Sequence, residues 1–337
     1  MATSLLSRYP WVSSPFVVSA PMKVMSGPAL AVAVSSAGGL GFIGPGAKTQ
    51  DTSDDLEKAS SLIRQAANTA PTPGSTLPVG IGYQLWGDDI NVAVTAIEKH
   101  KPCAAWLYAP RKGPEEYDDW SSKIRQIGTL KEAKELLQNR ERPDVVVVQG
   151  AESGGHGRAK DGMGLMALFP EVADAMAGSQ IHLFAAGGIA DGRGVAAALC
   201  LGASGVVMGT RFLAASEARI SRGYQDEVVR AVDGATSTTR TLLYNHLRGT
   251  FGWPEEYSPR TILNKSFVEQ QEGKSFEELK KLHDEAIKTG DKGWGPEGRL
   301  ATYAGASVGL IHDVKAAEDI VYDIRDDALE RIQRLYP

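Results

Sequence analysis

Short apolar runs alternate with helix-like stretches eight times within residues 16–211, and this alternation constrains the fold more than any other feature. The runs are rich in Val, Ile and Ala and lack alternating polar residues, most clearly at the four valines 145–148. Such runs are typical of strands buried on both faces of a parallel sheet. Eight strand–helix units therefore predict an α/β protein with a closed (β/α)8 barrel. The predicted strands are 16–20, 40–43, 79–83, 104–108, 124–127, 145–149, 182–186 and 205–208.

After Arg211 the chain becomes richer in charged and turn residues, which predicts a smaller helical lid inserted before the chain returns to the barrel. The three expected regions are a barrel at 1–221, a lid at 222–299 and a C-terminal return at 300–337. The predicted helices of the lid and the return are 225–232, 276–288 and 314–335. Trp253, Tyr257 and Trp294 are expected in the core of the lid, because aromatic side chains usually bury. The alternative is that they form the wall of a pocket.

Composition excludes several functional classes. The net charge is -5 and there is no basic stripe with interleaved aromatic residues, so a nucleic-acid surface is not expected. No apolar stretch reaches membrane-spanning length and the N-terminus lacks a secretion signal pattern, so the expected location is the cytoplasm, away from membranes. Cys103 and Cys200 are predicted to be buried free thiols, which suits a reducing compartment.

Two glycine-containing loops predict a phosphate site. Barrels commonly bind phosphate at the loops after their seventh and eighth strands, where glycines allow backbone N–H groups to approach closely and a helix N-terminus adds a favourable dipole. The alternative is that these are ordinary turn glycines. The candidate residues are Ala186, Gly187 and Gly188 in one loop and Met208, Gly209 and Thr210 in the other.

The loop after the sixth predicted strand, residues 149–157, contains four glycines and His156. Its glycines would keep the backbone close to a group lying above the barrel. His156 is the ionisable side chain of this loop whose ordinary pKa lies near neutrality, so it is the candidate acid/base group. No second ligand lies at metal-binding spacing, so no metal is expected. Gln149, Gly154 and Gly155 are candidate contacts of the group above the barrel.

The ends of the first and third strands supply further candidates. Ala20, Pro21 and Met22 are small or apolar residues suited to packing against a flat ring. Lys23 is either an ordinary surface lysine or a group that stabilises negative charge on a ring or substrate. Gln84 is either a loop amide or a hydrogen-bonding partner for the edge of a ring.

Together these segments resemble the nitronate monooxygenase family, formerly called 2-nitropropane dioxygenases. The resemblance is carried by 20–22, 37–41, 149–156, 186–192, 202–212 and 303–310, and the Gln-Gly…Gly-Gly-His element is its most specific part. It implies a TIM barrel with a lid and FMN held without a covalent bond, in contact with the candidates named above. It places His156 on the catalytic histidine and implies oxidation of alkyl nitronates or nitroalkanes by O2 to carbonyl compounds and nitrite. Tyr303 then joins Lys23 as a candidate for contact with the substrate or its charge.

Several alternatives stay open. His156 could remove the acidic α-proton of a nitroalkane, or it could donate a hydrogen bond to the oxygens of a nitronate anion. Lys23, Gly82 and Gly305-Ala306 depart from the bacterial pattern of the family, which leaves the substrate pocket open. The same barrel could instead be an NAD(P)H-dependent flavin reductase of quinones or enoyl thioesters, or a non-catalytic FMN-binding protein. The expected partners are a small molecule and O2, and a homodimer is compatible with the sequence.

Overall fold

The computed structural model describes residues 2–67, 76–110 and 123–335. The strands, in chain order, are β1 (Val17–Ser19), β2 (Phe42–Ile43), β3 (Gly80–Gln84), β4 (Ala105–Tyr108), β5 (Lys123–Ile127), β6 (Val145–Gln149), β7 (Gly155–Arg158), β8 (His182–Ala186), β9 (Gly205–Met208), β10 (Thr238–Arg240) and β11 (Tyr257–Ile262). The helices are α1 (Ala2–Arg8), α2 (Pro28–Ser36), α3 (Asp51–Ala67), α4 (Ile90–His100), α5 (Leu130–Gln138), α6 (Leu165–Ala175), α7 (Gly192–Cys200), α8 (Thr210–Leu213), α9 (Arg222–Arg230), α10 (Gly234–Ser237), α11 (Leu243–Leu247), α12 (Lys265–Gln271), α13 (Phe276–Ile287) and α14 (Ala317–Leu335), with 3-10 helices at Gly290–Gly293 and Ala306–Leu310.

Within these ranges the parallel strands form one eight-stranded sheet in the order β1-β9-β8-β6-β5-β4-β3-β2. A parallel bridge between Val18 and Leu40 brings the two ends of the sheet together. The predicted α/β barrel is therefore confirmed, and the eight predicted strands coincide with its strands to within a few residues. Among the described residues, no helix is long and apolar enough to cross a membrane.

Packing explains why the apolar runs become strands. One buried cluster includes Val146 and Val148 with residues of the surrounding helices, and a second includes Val145 and Val147 with Phe184. The alternate valines of β6 thus face opposite sides of the sheet, and both sides are buried. Burying a valine side chain stabilises a fold by roughly 1.5–3 kcal/mol. The run of valines therefore specifies a strand covered on both faces.

The region predicted as a helical lid contains helices α9 to α13 and, in addition, two strands of a small sheet. Strands β10, β11 and β7 form a three-stranded antiparallel sheet in which Pro259 lies opposite His156. The segment carrying His156 is consequently a strand rather than a loop. Its glycines hid this in the sequence, because glycine weakens a strand pattern. Helices α9 and α13 lie close to the predicted 225–232 and 276–288.

The structure also corrects two predictions about buried side chains. Cys200 is exposed and Cys103 is only part-buried by surface area, so the expectation of two buried thiols is wrong for Cys200. Trp294 packs at the edge of the cluster containing Tyr224, as expected of a lid-core aromatic. Tyr257 is also buried, but its ring packs against Tyr108 of the barrel and against Trp253. Trp253 does not belong to that core and lines the cavity described below.

Candidate active site

A cavity of about 480 Å³ opens at the carboxyl ends of the barrel strands. This is the end at which barrel enzymes place their working groups. Loops that follow β1, β3, β6, β8 and β9 supply one side of the cavity, and residues 245–253 and 303–307 supply the other. The predicted site residues that line it are Ala20, Pro21, Met22, Lys23, Gln84, Gln149, Gly154, Gly155, His156, Ala186, Gly187, Gly188, Gly209, Thr210 and Tyr303.

Met208 is the predicted contact that the structure does not place at the cavity. Its side chain is 1% exposed and belongs to the core between the sheet and the outer helices. Its carbonyl oxygen accepts a hydrogen bond from the N–H of Ala20 at 2.9 Å, which ties β9 to the end of β1. Met208 is the last residue of its strand, so its side chain points into the packed layer while the backbone turns toward the cavity at Gly209.

The glycine loops have the backbone geometry expected of close-approach sites. Gly187 and Gly188 have φ angles of 94° and 75°, a region that residues with a Cβ rarely adopt. The N-terminus of α7, however, is already occupied by a side chain of the protein. Asp191 caps α7 by accepting hydrogen bonds from the N–H groups of Arg193 at 2.9 Å and Gly194 at 3.3 Å. An anion in this loop would therefore meet glycine N–H groups rather than the end of α7.

Arg240 holds the Gly-Gly-His strand in place. Its Nη1 donates to the carbonyl oxygens of Gly155 at 3.1 Å and Ser258 at 2.6 Å. Its Nη2 donates to the carbonyl oxygens of Ala151 and Ser153, each at 3.1 Å. Burial and then the nearby Arg260 lower the pKa of Arg240 to about 10, so it stays charged at neutral pH.

The contacts of Arg240 require a glycine at position 157. A Cβ on Gly157 would lie 2.7 Å from Nη2 of Arg240 and 3.0 Å from Oε1 of Gln149. The absence of a side chain lets the guanidinium lie against the strand. This glycine therefore has a packing role that is separate from any contact with a cofactor.

The His156 ring is fixed on one face and at one edge. The indole of Trp253 stacks on it with centroids 3.6 Å apart and planes 6° apart. Nδ2 of Asn245 lies 2.8 Å from Nε2 of His156. The hydroxyl of Tyr108 donates to the backbone carbonyl of His156 at 2.9 Å. The β7 backbone, the stacked Trp253 indole and the Asn245 amide together restrict rotation of the His156 ring.

His156 is a weak base in this setting. Burial, followed by the positive charges of Arg240, Arg248 and Lys23, lowers its pKa to about 3. Although part of the ring faces the cavity, the protein atoms around it remove the water that would solvate an imidazolium. His156 is therefore a neutral imidazole at physiological pH and a weaker base than its ordinary pKa near neutrality suggests.

Tyr303 lies beside His156, with the ring centroids 6.1 Å apart. Its hydroxyl donates to Oδ1 of Asn245 at 3.1 Å and accepts from Nη1 of Arg248 at 3.1 Å. Burial raises the pKa of Tyr303, so the phenol stays protonated. Lys23, the other predicted charge-stabilising residue, lines the same cavity.

Several residues around His156 carry no recognisable signal in the sequence, among them Asn245, Arg248, Arg240 and Tyr108. Three of these lie in or beside the region predicted as a lid, where no motif marked them. The Gly252-Trp253-Pro254 turn was the available signal for Trp253, since a tryptophan between two turn residues has few ways to reach a helical core.

Gly82, one of the departures from the family pattern, has a local reason. A Cβ on Gly82 would lie 2.4 Å from the Cβ of Pro21. The loop after β1 thus packs directly on β3. Gly305, which directly precedes the departing residue Ala306, donates its N–H to Oγ1 of Thr210 at 3.0 Å and so links the C-terminal return to the glycine loop after β9.

Comparison with known proteins gives a consistent result. The family model of nitronate monooxygenase matches residues 10–72 and 84–326. The chain is 58% identical over 335 residues to a protein of Metarhizium robertsii named nitronate monooxygenase npaC, covering 96% of this chain and 94% of that one. It is 33% identical to a nitronate monooxygenase of Neurospora crassa, covering 99% and 94% respectively. The solved structure of FabK from Thermotoga maritima superposes with a TM-score of 0.73 at 27% identity, covering 98% and 97%.

Proposed function

The chain belongs to the nitronate monooxygenase family of flavin-dependent oxidoreductases, and on that basis we propose that it binds FMN and oxidises alkyl nitronates with O2 to carbonyl compounds and nitrite. The observation that carries the proposal is that the two glycine loops and His156 face one cavity. The substrates are small molecules, which a cavity of about 480 Å³ shared with a cofactor can admit.

The residues around the cavity fit a flavin. Oε1 of Gln84 is buried and has no hydrogen-bond partner among the described residues, although Gln84 lines the cavity. Leaving a buried acceptor unsatisfied costs about 1–3 kcal/mol, so a ligand with an N–H at its edge would be stabilised there. Gly187, Gly188, Gly209 and Thr210 would hold the phosphate through backbone N–H groups.

When bound, the flavin supplies the electron transfer and the reaction with O2. The residues of the chain supply position and charge. His156 lies next to the cavity as a neutral imidazole, and Lys23 and Arg248 place positive charge on the same space. A nitronate is an anion, so this field favours its binding over that of a neutral molecule.

An anaerobic reduction experiment tests the function. The purified yellow protein is mixed without O2 with a nitronate, NADH or NADPH, and the flavin absorbance is followed. We expect fast bleaching with the nitronate and slow or no bleaching with the nucleotides. Fast bleaching by NADH or NADPH, with none by the nitronate, would replace this proposal with the flavin reductase alternative.

A variant separates catalysis from mere flavin binding. His156→Asn should keep the flavin spectrum but lower kcat/KM for nitronates by roughly 10²-fold or more, the usual size of losing one stabilising donor. Unchanged turnover would remove His156 from the reaction, whereas no turnover by the flavin-loaded wild type would favour the alternative of a non-catalytic flavin-binding protein. Loss of the flavin would show instead that His156 has a structural role.

A further inference from the structure

Three side chains form a directional chain of hydrogen bonds that ends on His156. Arg248 donates to the Tyr303 hydroxyl at 3.1 Å. Tyr303 donates to Oδ1 of Asn245 at 3.1 Å, and Nδ2 of Asn245 lies 2.8 Å from Nε2 of His156. Asn245 has no role in the function proposed above beyond lining the cavity, and Arg248 enters it only as a source of positive charge.

The order of donors fixes the direction of the chain. A guanidinium can only donate, so Arg248 occupies a lone pair of the Tyr303 oxygen and leaves its proton for another acceptor. The amide oxygen of Asn245 is that acceptor. The amide nitrogen then faces His156, and an amide nitrogen can only donate. Nε2 of His156 must therefore be the unprotonated, accepting nitrogen.

The neutral imidazole consequently carries its proton on Nδ1. No hydrogen bond to Nδ1 is formed by any group in residues 2–67, 76–110 or 123–335. Since His156 lines the cavity, this N–H is the ring donor left for a ligand. A second proton on Nε2 would meet the Asn245 N–H group directly, which opposes formation of the imidazolium.

The residues of this hydrogen-bond chain are held in place by the packing around them. Asn245 is 2% exposed and lies on α11, whose neighbours Leu243, Tyr244 and Leu247 are buried in one cluster. The backbone carbonyl of Tyr303 accepts a hydrogen bond from the Tyr224 hydroxyl at 2.9 Å. The amide therefore cannot easily turn over to present its oxygen to His156.

Taking the proposed function as given, we propose that Asn245, oriented by Tyr303 and Arg248, is a positioning residue that holds His156 as the Nδ1–H tautomer. His156 then acts as a hydrogen-bond donor to the nitronate oxygens and not as a base. The enzyme accordingly takes preformed nitronate anions and turns over neutral nitroalkanes poorly. The positive charges of Lys23, Arg240 and Arg248 around the ring also disfavour the protonated imidazolium.

The test combines a spectroscopic and a kinetic readout. Ring ¹⁵N spectra of histidine-labelled holoenzyme, assigned with His156→Asn, should show a protonated Nδ1 and an unprotonated Nε2 at neutral pH. Asn245→Asp replaces the donor by a carboxylate, which should move the proton to Nε2. The ratio of kcat/KM for ethyl nitronate to kcat/KM for nitroethane should then fall at least about tenfold, as expected when a general base is gained.

Controls keep the outcomes distinct. Asn91→Asp adds the same charge at an exposed position of α4 and should change neither readout. Tyr303→Phe removes the donor that orients the amide and should give mixed tautomers, so the test does not depend on the folding of one variant. A protonated Nε2 in the wild type, or wild-type turnover of nitroethane as fast as of its nitronate, would overturn the inference while leaving the proposed function intact. Absence of turnover with both substrates would instead refute the proposed function, and the spectrum would still decide the tautomer.

Discussion

Replacing His156 by Asn should make the protein less sensitive to acid. The folded protein holds the pKa of His156 near 3, because of burial first and then the charges of Arg240, Arg248 and Lys23. In the unfolded chain the same group has a pKa near 6.5. Between these values the unfolded state binds a proton that the folded state does not, so the free energy of unfolding falls as pH is lowered through this range.

The size of the effect follows from the shift. Each pH unit below 6.5 removes about 1.4 kcal/mol of stability through this one group. Lowering the pH from 7.5 to 5.0 should therefore cost the wild type about 2 kcal/mol that His156→Asn does not lose. Burial also lowers the pKa values of His100, His182 and His283, but these residues are present in both proteins and cancel in the difference.

Urea unfolding followed by tryptophan fluorescence, at both pH values and with the same excess of free flavin, measures this difference. His312→Asn removes an exposed histidine and serves as the matched control, which should follow the wild type. Parallel loss of stability in the wild type and His156→Asn would show that His156 titrates normally in the folded protein, and the reasoning about its surroundings would be refuted.

Three further variants test the site. Gly188→Ala should weaken flavin binding at least roughly tenfold, because its φ of 75° disfavours a side chain. The control Gly178→Ala has a similar φ of 79° but lies in open space away from the cavity, so it should leave flavin affinity unchanged, and equal affinity in both variants would contradict this. Arg240→Met should lower the free energy of unfolding by at least about 3 kcal/mol, since several part-buried carbonyl groups lose their donor; a urea-measured loss under about 1 kcal/mol would show that water replaces the guanidinium. Trp253→Ala should raise kcat/KM for bulky branched nitronates relative to ethyl nitronate, and an unchanged ratio would place the pocket wall elsewhere.

The barrel could be predicted from the sequence because its signal is local. Each strand is a short apolar run such as Val145–Gln149. Because such a strand is buried on both faces, its residues are apolar without interruption and the run is easy to recognise in the sequence. The glycine loops could be predicted for a similar reason, since each directly follows a predicted strand. The side chain of Met208 lies in the core and not at the cavity, because a residue at the end of a strand can point to either side and the sequence alone does not fix which.

The surroundings of His156 could not be predicted in the same way. Asn245, Arg248, Trp253 and Tyr303 reach the histidine from positions about 90 to 150 residues later in the chain. No repeat or spacing connects such distant residues. The position of the histidine was predictable, but its basicity depends on burial and on cations that only the folded structure brings together.

The pairing of β7 with β11 has a consequence for how the protein is made. His156 lies opposite Pro259, so the strand carrying the histidine has its partner about 100 residues downstream. Closing so long a loop costs more chain entropy than pairing neighbouring barrel strands does. During synthesis, residues 155–158 leave the ribosome well before their partner strand exists. The cavity is therefore completed late, and a chain released before residue 257 could form barrel strands but could not order the histidine.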